Sequence, residues 1–86
     1  MAQQLELASE ELRAAADLAD GDEQDRLETQ ADSLADLVET GADHGRLARH
    51  ENALREVEAA TGDEVGEHIQ AAMDAITEHR KTLDGV

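Results

Sequence analysis

This chain predicts an all-α fold, a small antiparallel four-helix bundle, and three observations carry the prediction. Apolar residues recur at steps of three and four, and no segment alternates apolar and polar residues as a half-buried strand would. Ala, Leu, Glu, Gln and Arg dominate, all strong helix formers, while β-branched residues are sparse. Short breaks bearing glycine and aspartate, at 19–25, 41–45 and 61–64, divide the chain into four segments of helical length. Helices joined by turns this short lie antiparallel to their neighbours. The alternative is a three-helix bundle, in which the last two segments fuse and the 61–64 region only kinks. With 86 residues the chain is long enough for one helical domain, 1–86, and not for two.

The first helix is expected over 3–19. Leu5, Ala8, Leu12, Ala15 and Ala19 make one face of a 3.6-residue period. Leu7, Ala14 and Leu18 form a second, weaker stripe on another side. Leu7 and Leu18 are either scattered surface leucines, which are common, or a self-association surface that a second copy covers.

In the break ADGDEQD, Gly21 can take the left-handed conformation that ends a helix, and Asp20 or Asp22 can cap the next. The second helix then runs to Thr40, with Leu27, Ala31, Leu34 and Val38 as its seam and Ala35 and Leu37 flanking it. Gly41 is the stop. Asp43 is the expected cap of the third helix, which continues to Ala60. TGDE at 61–64 has the capping-box pattern, Thr61 capping and Glu64 reaching back, and it favours four helices over three. Val65, Ile69, Ala72, Met73, Ile76 and Leu83 carry the apolar face of the last helix. Residues 83–86 are expected to fray.

Composition bounds the chemistry. There are 22 acidic residues against 7 Lys and Arg, a net charge of −15, and no cysteine, proline or aromatic residue. Without cysteine there is neither a disulfide nor a thiolate metal site. The core must be built from leucine, alanine and a few Val, Ile and Met, so its hydrophobic contribution is modest. So much negative charge on so small a body repels itself, and added salt screens that repulsion, so stability should rise with ionic strength. The same charge argues against direct nucleic-acid binding, which needs a basic footprint, and the lack of aromatics removes base-stacking platforms. No apolar run is long enough to span a membrane. The first residues, MAQQLELASEELRAAA, lack a basic leader followed by an apolar block, so no signal peptide is expected and a cytoplasmic setting follows. Abundant Asp and Glu, one lysine beside six arginines, and small aliphatics are the composition of a cytoplasmic protein of an extreme halophile.

Against this background DHGRLARHENALREV, residues 43–57, concentrates His44, Arg46, Arg49, His50 and Arg55. On a helix, Leu47, Ala53, Leu54 and Val57 share a face with His50 in its middle. Arg46 lies near it, Arg49 on the flank, and Arg55 points to solvent. A buried imidazole needs a hydrogen-bond partner, and a guanidinium matches a carboxylate with two parallel bonds. Arg46, His50 and Arg49 are therefore expected either to tie the third helix to acids on its neighbours or to form a binding surface for an acidic partner or small anion.

This block, with the C-terminal ITEHRKTLDGV, resembles a family of small acidic haloarchaeal proteins of unknown function. The resemblance is most specific in HGRLARHE, residues 44–51, and covers most of the chain. It implies a halophilic, intracellular, all-helical protein and implies no activity, ligand or catalytic residue.

No catalytic, cofactor-binding or metal-binding residue is expected. His68 and His79 share a side of the last helix but lie about 16 Å apart along it, too far to chelate one ion. Glu64, Glu67 and His68 would offer only an exposed, weak site. Ser9 and Ser33 lack a recognisable base partner, and DGDEQD does not hold the spacing of a calcium loop. The expected function is that of a non-enzymatic structural or protein-interaction module, with a homodimer or an unidentified protein as partner. The alternative is an acidic regulator that mimics nucleic acid before a basic partner.

Overall fold

The computed structural model describes residues 3–41 and 43–82. Four helices follow in chain order: α1, Gln3–Leu18; α2, Gly21–Thr40; α3, His44–Ala59; and α4, Asp63–Lys81. The bundle has four members, and the fused three-helix alternative falls away because the chain leaves helical geometry between α3 and α4. Its long dimension is 37 Å, against 20 and 17 Å across. A helix of twenty residues is about 30 Å long, so the bundle is one helix tall.

The helices surround the core in sequence order. α1 packs extensively on both α2 and α4, α3 packs less on α4, and α2 and α3 have the sparsest contact. The first pair runs antiparallel. Ser9 donates its hydroxyl to the Ala31 carbonyl at 3.0 Å, while the Gln24 side chain donates to the Ala16 carbonyl at 2.9 Å.

The turns explain the boundaries. Gly21 and Gly41 have φ of 62° and 92°, the region where a Cβ is costly. Asp20 is the N-cap of α2 by backbone geometry, but neither it nor Asp22 supplies a side-chain cap there. Asp43 does cap α3, its carboxylate accepting from the Arg46 amide at 2.8 Å. The capping box expected at 61–64 does not form. Gly62 is the N-cap of α4 without a side-chain bond, and Thr61 donates its hydroxyl backward to the Glu58 carbonyl at 3.2 Å. Thr61 thus belongs to the end of α3: its backbone N–H and its hydroxyl both donate to the Glu58 carbonyl, each at 3.2 Å.

The core follows the predicted stripes closely. Leu5, Ala8, Leu12, Ala15 and Ala16 are buried on α1, and Leu27, Ala31, Leu34 and Leu37 on α2. Val65, Ile69, Ala72, Met73, Ala75 and Ile76 are buried on α4. Two expected seam positions are exchanged for neighbours. Ala19 and Val38 are only partly buried, while Ala16 and Leu37 take the interior. At these helix ends a step of three or four residues points almost equally well inward, and tertiary contact chooses between them. Leu83 and the fraying expected over 83–86 lie outside the described residues.

Candidate functional site

α3 is where the polar chemistry gathers, because its buried face is the poorest in apolar groups. It buries Leu47, Leu54 and Val57, and the fourth buried residue is Glu51. The sequence placed His50 at the centre of this face. The structure puts Glu51 there instead, 8% exposed, and leaves His50 half-buried at its edge. The two sit on opposite sides of the Leu47–Leu54 line. One turn of α3 therefore sends an imidazole toward α2 and a carboxylate toward α4.

On the α4 side Glu51 accepts from the Arg80 guanidinium and, at 3.3 Å, from the Thr77 hydroxyl. Arg80 also donates through Nε to His44 Nδ1 at 3.1 Å. Because Nδ1 accepts, a neutral His44 carries its proton on Nε2, and that buried atom has no hydrogen-bond partner. Arg80 joins the start of α3 to the end of α4, where basic side chains also complement the helix dipole. This is the cross-helix charge network that sequence reasoning sought around His50, displaced to Glu51. One signal in the sequence pointed to it: Glu51 follows Leu47 by four residues and precedes Leu54 by three, a seam spacing.

On the α2 side the contacts are thinner. His50 Nδ1 meets Gln30 Oε1, so an amide, not a carboxylate, receives the imidazole. Burial pushes the His50 pKa below its ordinary value, which keeps the ring neutral at pH 7. Arg46 is exposed and reaches only Asp43 of its own helix, at 3.9 Å. Arg49 is exposed and forms no ion pair among the described residues. Neither arginine ties α3 to an acid on a neighbouring helix. Both instead border a groove of about 480 Å³ between α2 and α3, together with Gln30, Ser33, Asp36 and His50.

The other helix pairs each carry a charged contact. Arg13 pairs with Asp32 across α1 and α2 at 3.0 Å, and His68 meets Glu11 across α4 and α1 at 2.8 Å. Leu7 and Leu18 lie on α1, away from the α3 seam, 46% and 50% exposed, as a surface stripe requires. Among the described residues no three His, Asp or Glu side chains group in a way that could hold a metal ion. Among the same residues no helix is long and apolar enough to cross a membrane.

Helical architecture and a partly buried polar network name no activity, and neither does comparison with known proteins. No curated protein and no solved structure is significantly similar to this chain. One family model does match, over residues 1–82, nearly the whole length. The chain belongs to that family, DUF7553, a family of unknown function.

Proposed function

We propose that this chain is a non-enzymatic interaction module of a salt-rich cytoplasm, as in a halophile, and that it self-associates through the outer stripe of α1. The observation that carries the reading is the exposure of Leu7 and Leu18. They are the two large apolar side chains left open among the described residues. Eleven residues separate them, three helical turns, so both lie on one line about 16 Å apart, with Ala14 between. A two-fold pairing of such stripes buries leucine against leucine and adds apolar burial to a core short of it. The charge distribution supports the solvent half of the reading. Among the described acids only Glu51 is buried. The remaining carboxylates stay at least partly hydrated and repel one another until salt screens them.

Light scattering in molar KCl across a wide range of protein concentration tests the association. Twice the monomer mass is expected, with the variant Leu7→Gln/Leu18→Gln monomeric at unchanged helicity. A wild-type chain that stays monomeric throughout refutes it. Circular dichroism against KCl concentration tests the solvent half: the thermal midpoint should climb as salt is added.

A further inference from the structure

We propose that the groove between α2 and α3 is a binding site for a small phosphate-bearing molecule, held by the guanidinium groups of Arg46 and Arg49. The site goes beyond the self-association reading, since α1 does not line this groove, and it stands whether or not the chain dimerises.

Cation pairing is the first argument. In a chain with 22 acids and 7 Lys and Arg, a basic side chain should find a carboxylate with ease. Arg13 pairs with Asp32, Arg80 with Glu51 and Lys81 with Glu78. Arg55 donates to Asn52. Arg26 and Arg49 make neither an ion pair nor a side-chain hydrogen bond among the described residues, and both line the space between α2 and α3. Arg46 has only its long contact to Asp43. Among the described residues, three of the four arginines without a close carboxylate partner thus stand between α2 and α3; the fourth, Arg55, is exposed elsewhere on α3.

Geometry is the second. Arg46 and Arg49 are three residues apart, so their Cβ atoms lie about 5–6 Å from each other on one edge of α3. Two planar forks at that spacing can converge on the oxygens of one phosphate. Across the groove stand Ser33 and Gln30. The Gln30 carbonyl oxygen is taken by His50, which leaves its amide nitrogen free to donate. The groove, about 480 Å³, falls within the range of roughly 300–1,000 Å³ that small-molecule sites occupy. Gln30 also borders a second space of about 320 Å³, lined by Arg26 and by the carboxylates Asp25 and Glu56, which suits a neutral or cationic remainder of the ligand and not a second phosphate.

Solvent is the third. At molar salt, charges are screened beyond about 3 Å, so long-range attraction cannot hold an anion. Short bidentate hydrogen bonds from arginine persist, and chloride cannot reproduce them. Asp36 also borders the groove and opposes a ligand that spreads negative charge along it. A single phosphate beside Arg46 and Arg49 suits this arrangement better than a polyanion.

The test is a titration of the full chain in molar KCl with inorganic phosphate and with glycerol phosphate, followed through arginine side-chain N–H resonances. Saturable shifts at Arg46, Arg49 and the Gln30 amide are expected. Arg49→Ala should weaken binding at least tenfold, and Arg49→Lys, which keeps the charge and loses the fork, should weaken it too. Arg55→Ala makes the same change of charge on the outer side of the same helix and should leave affinity unchanged. If no saturable shift occurs with either probe, the proposal is wrong. It is equally overturned if Arg55→Ala weakens binding as much as Arg49→Ala, or if the groove responds to an acidic peptide but to neither phosphate. Helicity of each variant is measured alongside. Should Arg49→Ala lose it, the site of the wild-type shifts and the Arg49→Lys affinity decide.

Discussion

α1 and α3 are both helices of 16 residues, and they are held in opposite ways. α1 buries Leu5, Leu12, three alanines and Ser9. Small side chains let two neighbouring helices approach closely, and α1 consequently packs extensively on both α2 and α4. α3 buries only Leu47, Leu54, Val57 and a glutamate. Its longer polar side chains stand between it and its neighbours, tying it to α4 through Glu51 and Arg80 and to α2 only through His50 and Gln30. Where alanine sets the spacing the helices pack closely, with a groove of about 270 Å³ between α1 and α2; where arginine and histidine set it, the groove between α2 and α3 widens to about 480 Å³.

The largest test of the comparison is a matched pair of core truncations. Leu12 and Leu54 are both fully buried. Leu12→Ala should cost about 3–5 kcal/mol, because the closely packed α1 cannot relax into the cavity. Leu54→Ala should cost about 2 kcal/mol, since the looser α3 can shift inward. Urea unfolding in molar KCl measures both, and equal costs would dissolve the distinction between the two helices.

A smaller effect is expected at the charged tie. Glu51→Gln leaves Arg80 facing a neutral amide, and the loss should be about 1–2 kcal/mol, because Arg80 keeps partial access to water. A double-mutant cycle with Arg80→Gln isolates the coupling. A coupling near zero would mean that the apolar residues alone hold α3 to α4.

The smallest effect concerns pH. Burial lowers the His50 pKa in the folded chain, so the unfolded chain takes up its proton first. The stability due to the neutral ring is present above the ordinary histidine pKa, about 6.5. It is lost as pH falls through that value toward the lower folded one. His79 shifts in the same direction, first through burial. His50→Gln should therefore reduce, without abolishing, the loss of stability just below pH 6.5, as read by chemical denaturation at stepped pH. An unchanged slope would show that the His50 ring is as hydrated in the folded chain as in the unfolded one.

Much of this molecule is legible in its amino-acid order. The four helices, the left-handed Gly21, the stop at Gly41, the Asp43 cap and nearly every buried leucine follow from period and local chemistry, which act over a few neighbouring residues. The exposed Leu7 and Leu18 are legible for the same reason. The failures fall where two neighbouring choices compete. Thr61 can accept from the amides ahead of it or donate to a carbonyl behind it, and the sequence pattern favours the first while the fold takes the second. At His50 and Glu51 adjacent residues are both near the seam, and polarity alone puts the imidazole inside in place of the carboxylate. The outcome turns on Arg80, 29 residues away, which neutralises the carboxylate.

The sequence by itself determined that the chain is helical, where its helices break and which stripe of each is apolar, because those properties arise from backbone sterics and side chains a turn apart. Only the tertiary structure decided which of two adjacent polar residues is buried, and that Arg46 and Arg49 border a groove and, among the described residues, do not bridge to another helix. Those outcomes depend on the distance between helices, which is set by the sizes of residues far apart in the chain.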